Sequence, residues 1–361
     1  MSDTIFKPLK LGQLELGHRI ALAPCTRFRN DDDGSPLEDL MPAHYAQRCL
    51  VPGTFLIAEA TDAHSLAGGY NNVPGIYTDK QIAAWKKVTD AVHEKKGFIF
   101  LQIWALGRVN PGTKQPDVFS ASSIVEAGYP SPRELTIEEI HALEDAFATA
   151  AKNAIAAGFD GVEIHGAHGY LVDQFIQDLT NKRTDEYGGS VENRAKFPLE
   201  IVDKVAAAIG DEKVGIRLSP FSQFQSMGMA DPYPQFSYIV SKLQENHPKL
   251  AYIHMVEPRA SGNMDREAKE NESTDPYHKL WEGTWIAAGG FTPETAKAYA
   301  EAHTDSLVAF GRYFIANPDL VAKVKEGIPL TKYNRDTFYL PKSRLGYADY
   351  EYAPELQGKY Y

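Results

Sequence analysis

Residues 158–171 read Gly-Phe-Asp-Gly-Val-Glu-Ile-His-Gly-Ala-His-Gly-Tyr-Leu. Phe159 to Ile164 make a short, mostly apolar run next to glycines, the pattern of a buried strand. The stretch before it, 136–157, carries apolar residues at spacings of three and four, the pattern of a helix. Thr136 followed by Glu139 forms a capping box, and Gly158 ends the helix. A capped helix followed at once by a buried strand is one step of a parallel sheet. His165, His168 and Tyr170 fall where that strand ends: two imidazoles able to donate to a developing oxyanion and a phenol able to deliver a proton. Gly166 and Gly169, interleaved with them, let the backbone turn sharply there.

The same step recurs along the chain. Apolar runs at 20–24, 54–60, 97–104, 161–165, 214–220, 252–257, 285–289 and 307–311 read as eight strands. Helical periodicity fills 79–96, 136–157, 193–209, 234–245, 292–302 and 317–326, with Thr292-Pro293 and Asn317-Pro318 read as helix starts. Runs that are continuously apolar belong to strands buried on both faces, so the expectation is an α/β fold of the closed (β/α)8 type, a TIM barrel, rather than an open sheet. The glycine- and proline-rich segment 105–135 is expected to be a capping insertion after strand three, joined by long loops at 221–233 and 258–280. The aromatic tail from Tyr333 to Tyr361 is expected to pack back on the barrel, and residues 1–361 read as one domain.

Composition agrees with this and removes other classes. A chain of 361 residues with 43% hydrophobic and 24% charged residues is that of a soluble globular protein, and α/β barrels reach this length as single domains. No window approaches the ~18 continuous apolar residues of a membrane span. The start, Met-Ser-Asp-Thr-Ile-Phe-Lys-Pro, lacks the pattern of a secretory signal, and there are only two cysteines, so a cytoplasmic setting is expected. A net charge of −11 argues against nucleic acid or acidic lipid as partner and favours a small-molecule substrate.

Active sites of such barrels lie at the C-terminal strand ends. Those ends carry Pro24 and Thr26, Ala60, Gln102 and Trp104, His165 and His168, Arg217, Glu257, Gly289 and Gly290, and Gly311 and Arg312. None is a lysine, which argues against a Schiff-base aldolase or a pyridoxal enzyme. Loops after strands seven and eight form the recurrent phosphate seat of these barrels. There Gly289, Gly290 and Gly311 permit close backbone approach and Arg312 supplies a bidentate cation, so a phosphorylated ligand is expected.

These segments, taken in order, closely resemble the Old Yellow Enzyme family of flavin-dependent ene-reductases. The resemblance runs through Phe6-Lys7-Pro8-Leu9, Ala23-Pro24-Cys25-Thr26-Arg27, Leu56 to Ala60, Gln102-Ile103-Trp104, His165 to Leu171, Tyr187 to Arg194, Gly215 to Pro220 and Gly311 to Leu320. Asp336-Thr337-Phe338-Tyr339 is similar to the classical branch, including fungal members.

The resemblance implies noncovalently bound FMN across the barrel mouth, reduced by NADPH or NADH, with an enone-type substrate above it. It assigns the flavin to Pro24, Thr26, Ala60, Gln102, Arg217, Gly289, Gly290, Gly311 and Arg312. Thr26 is implied at the flavin C4 carbonyl, Gln102 at the pyrimidine edge, and Arg217 where negative charge collects on reduction. His165 and His168 are implied as donors to the substrate carbonyl and Tyr170 as the acid for the α-carbon, with Trp104, Tyr339, Phe224 and Tyr70 lining the pocket. The position of His168 is Asn in many relatives, Ala60 replaces a common Gly, and Cys25 directly precedes Thr26, with Arg27 fixing the register on threonine. The family includes monomers and homodimers.

Two other readings compete. His165 and His168 could bind Zn²⁺ in a metal-dependent hydrolase, but Glu257 is the only carboxylate among the strand ends. A noncatalytic ligand-binding barrel would leave the histidines as structural hydrogen bonders.

Overall fold

The computed structural model describes residues 4–361. Eight parallel strands, Ile20–Leu22, Phe55–Asp62, Phe98–Trp104, Gly161–Gly166, Val214–Leu218, Tyr252–Val256, Trp285–Ala288 and Ser306–Phe310, close into a barrel in which each pairs with the next and the eighth returns to the first. The expected runs and the observed strands agree to within two residues at each end, because each run is buried on both faces and no polar alternation blurs it.

Inside the barrel Phe55, Phe100 and Tyr252 meet edge-on or tilted, with centroids 5.2 to 5.9 Å apart. Glycine makes the room for them. A β-carbon on Gly161 would stand 2.4 Å from the Phe100 ring, and one on Gly215 would stand 2.4 Å from Tyr252. An antiparallel hairpin, Leu9–Leu11 with Leu14–Leu16, precedes the first strand, and its Leu11 and Leu16 join this interior cluster, closing the N-terminal end.

Helices Asp79–Glu94, Ile137–Ala156, Val191–Ile209, Tyr233–Asn246, Pro293–Ala302 and Leu320–Glu326 cover the outside, together with the short Met41–Ala46 and Asp275–His278. Capping boxes at Thr136 with Glu139 and Thr292 with Thr295 start two of them as their sequences require. Asn317-Pro318 does not start a helix. The helix begins at Leu320, and the Asn317 amide instead donates to the Tyr313 and Thr331 carbonyls at 2.8 Å, tying down the strand-eight loop. Among the described residues no helix is long and apolar enough to cross a membrane.

Above the C-terminal strand ends, segment 105–135 forms the cap, with a short strand pair, Phe119–Ser120 and Arg133–Glu134. Its buried Arg108 lies 3.1 Å from Glu126 and donates to the Gln225 carbonyl at 2.6 Å, and Ser226 donates to Glu126 at 3.0 Å. The cap and the strand-five loop are thereby one roof. The tail crosses the first strand end, where Arg27 and Arg29 donate to the carbonyls of Thr337, Phe338, Ser343, Leu345 and Gly346.

Candidate active site

At the barrel mouth lies a cavity of about 410 Å³. It brings together Pro24, Thr26, Gln102, Trp104, His165, His168, Tyr170, Arg217, Phe224, Gly289, Gly290, Gly311, Arg312 and Tyr339, residues from six of the eight strand ends and from the tail. The side chains of two other expected site residues do not line the cavity. Strand two bulges between Ala58 and Thr61, so Ala60 turns into an apolar cluster with Val73, Trp104 and Leu106. Tyr70 backs the wall from behind, 6.2 Å from the Trp104 ring, with its hydroxyl 3.0 Å from that of Tyr129 on the cap.

One end of the cavity holds the reactive trio. His165 and Tyr170 are edge to face at 4.9 Å, His165 and His168 at 6.3 Å, and Trp104 lies 4.5 Å from the Tyr170 ring. Burial, reinforced by the nearby Arg217 charge, pushes both imidazoles well below the usual histidine range, so both are neutral at pH 7. His165 Nδ1 accepts the Ala167 N–H at 3.3 Å, which leaves the proton of a neutral ring on Nε2. Burial raises the Tyr170 phenol, keeping it protonated.

This trio is held by a strained turn. His168 has φ of 55° and Gly169 of 77°, a left-handed pair in which only the second residue is free of cost. The His168 N–H donates to Ser219 Oγ at 2.8 Å, its Nδ1 is 3.1 Å from Ser222 Oγ, and the Gly169 N–H donates to Asp173 at 2.8 Å. Ser219, Ser222 and Asp173 were not among the expected site residues. The pair of serines after strand five was the available signal, since small hydroxyls beside a strand end commonly bond to backbone.

The other end is polar and glycine-lined. Gln102 Oε1 has no protein partner, Arg217 Nε is buried without one, and Thr26 stands beside them. Cys25 also reaches the cavity, but its sulfur packs toward Gly311, and burial raises its thiol. Beyond them Gly289, with φ of 117°, and Gly290, with φ of 64°, turn the chain after strand seven, and Arg312 faces them from strand eight. Arg312 is paired with Asp265 through both of its terminal nitrogens, one at 2.7 Å, and also donates to Tyr333 at 2.7 Å. Glu257 lies off the cavity, its carboxylate accepting from Thr274 at 2.6 Å. Among the described residues, no third metal-type ligand joins His165 and His168. Among the described residues the one such group of three is His141, Glu144 and Glu200 on the outer helices.

Comparison with known proteins places the chain among flavin oxidoreductases. The NADH:flavin oxidoreductase / NADH oxidase family matches residues 4–331. The chain is 49% identical to chanoclavine-I aldehyde reductase of Penicillium roqueforti over 98% of its length and 97% of the relative's. It is 46% identical to 12-oxophytodienoate reductase 1 of Oryza sativa subsp. japonica, over 98% and 94% respectively. Among solved structures it is similar to Old Yellow Enzyme from Pichia sp., with a TM-score of 0.88, 38% identity and coverage of 98% of this chain and 94% of that one.

Proposed function

The chain belongs to the NADH:flavin oxidoreductase / NADH oxidase family, and from that premise we propose how its own residues divide the reaction. The protein is an FMN-dependent oxidoreductase that reduces activated alkenes at the expense of a nicotinamide cofactor. FMN held in this cavity would supply hydride chemistry linking a nicotinamide to the β-carbon of an α,β-unsaturated carbonyl or nitro compound.

The residues fit that group. Arg217, with an orphaned Nε, and the unpartnered Gln102 oxygen offer a donor and an acceptor side by side, as a pyrimidine edge needs. Thr26 would add a hydroxyl to the same ring system, Pro24 would pack beside it, and Gly289, Gly290, Gly311 and Arg312 would hold the phosphate.

His165 Nε2–H and His168 bind the substrate oxygen and favour the state in which charge has built up on it, since both rings are buried and neutral and His165 presents a fixed donor. Tyr170 delivers the proton to the α-carbon; its raised pKa keeps that proton in place until charge develops. Trp104, Phe224 and Tyr339 shape the pocket.

The observation that carries the assignment is the tautomer of His165, whose Nδ1 is occupied by the Ala167 N–H so that only a donor faces the cavity. We further propose that the chain acts as one cytoplasmic barrel domain, monomer or homodimer, with NADPH or NADH as reductant. The test is a half-reaction screen: flavin reduction by NADPH and NADH, then reoxidation by enones, nitroalkenes and α,β-unsaturated aldehydes. Protein without bound flavin absorbance and without affinity for added FMN would overturn the assignment.

A further inference from the structure

Glu163 takes no part in the chemistry above, yet it stands two residues before His165 with no exposure to solvent. A carboxylate withdrawn wholly from water must be compensated by partners. Its oxygens are divided between two. Oε1 accepts from Gln102 Nε2 at 2.6 Å, and Oε2 is 2.7 Å from His254 Nδ1.

The strand register makes this possible. Glu163 pairs with Gln102 on the third strand and with Gly215 on the fifth, and Gly215 has no side chain to stand between Glu163 and the sixth strand. Arg217 pairs with His254 across the fifth and sixth strands, so the carboxylate sits among Gln102, His254, Tyr252 and Arg217, all pointing into the barrel.

A carboxamide has a donor end and an acceptor end, and a cavity-lining glutamine could present either. A carboxylate can only accept. Glu163 therefore takes the Gln102 nitrogen and leaves Oε1 as the atom that faces the cavity, beside the Arg217 guanidinium.

We propose that Glu163 is a positioning residue: by holding the amide nitrogen of Gln102 it makes residue 102 an obligate acceptor, so that the cavity selects a ring N–H, the imide donor of a flavin, at that point. This rests on the FMN assignment. It predicts that recognition of the imide N–H resides in Glu163, which touches neither cofactor nor substrate, as much as in Gln102.

The experiment removes bound flavin from the holoprotein and reloads it with FMN or with 3-deaza-FMN, in which the imide N–H is replaced by C–H. The dissociation constants are compared by fluorescence quenching. Wild type should favour FMN by about tenfold, the size of one buried hydrogen bond. In Glu163→Gln the preference should fall to within about twofold, because a second carboxamide no longer dictates which end of Gln102 faces inward. His254→Asn leaves the Gln102 contact in place and should keep the full preference.

A Glu163→Gln protein that retains the wild-type ratio overturns the proposal. So does a His254→Asn protein that loses the ratio equally, which would mark a general loosening of the barrel. If Glu163→Gln yields no soluble protein, Glu163→Asp, which withdraws the carboxylate by one methylene, is read in the same way. Wild type that binds neither flavin would overturn the cofactor assignment as well, an outcome distinct from FMN binding with an unaltered ratio.

Discussion

Trp104 Nε1 donates to Asp62 Oδ1 at 2.7 Å, with both side chains buried, so a carboxyl group behind the pocket sets the plane of the indole that walls Tyr170. Burial pushes Asp62 up to about 7, only partly offset by the Trp104 bond. A folded-state pKa above the unfolded value means that the group's stabilisation is complete below about pH 4 and is lost as pH rises through about 7. Asp62→Asn keeps an acceptor for Trp104 but removes the titration. Its Tm should decline less than that of wild type between pH 4 and 8, leaving the slope due to Glu59 and Asp173, which burial also raises to about 7. Identical profiles for the two proteins would sink the idea.

Tyr170→Phe should slow reoxidation of the flavin by weakly polarised enones by about 10² to 10⁴, the usual worth of a positioned acid, while reduction by NADPH stays near wild type. Stopped-flow traces of the two half-reactions separate these effects. Equal losses in both would make Tyr170 a structural residue.

His165→Ala should weaken para-substituted phenolates, which resemble an enolate oxygen, by about tenfold or more, the worth of one hydrogen bond to a charged group. Titration of the flavin absorbance with such a phenol measures it. Affinity equal to wild type would remove His165 from the oxyanion site.

At the phosphate end, Arg312 shares its charge with Asp265. Asp265→Asn should free that charge and tighten FMN several-fold, whereas Arg312→Gln should weaken FMN by about tenfold, each with little change for riboflavin, which has no phosphate. Parallel changes for the two flavins would show that the pair acts on the ring, not on the phosphate.

Much of this was legible in the residues. The barrel could be read because buried parallel strands are apolar throughout, and the site because strand ends converge whatever their separation in sequence. The side chain of Ala60 turns from the cavity because a bulge reverses the facing of a strand without changing its composition, while the expected contact through its backbone amide does not depend on that facing. That Tyr70 stands behind the wall could not be read, because its partner, Tyr129, lies in the cap, whose path has no periodicity. The hairpin at Leu9–Leu11 and Leu14–Leu16 is too short for an alternation signal. The compensated interior charges were hidden for a different reason. Nothing in the order of Glu163, Gln102 and His254 says that three strands will bring them within 2.7 Å.

The barrel closes by pairing Val308 with Ile20, its last strand with its first. Pro24 and Thr26 on one side of that seam and Gly311 and Arg312 on the other face the same cavity, and the tail that Arg27 and Arg29 grip is made later still. A chain that stops before Ser306 lacks the eighth strand, so its sheet keeps two open edges and its cofactor seat lacks Gly311 and Arg312. Such contacts of long sequence separation are the slowest to form. The cofactor seat is therefore completed only by the last strand to be made, and closing the barrel and completing the seat are one event.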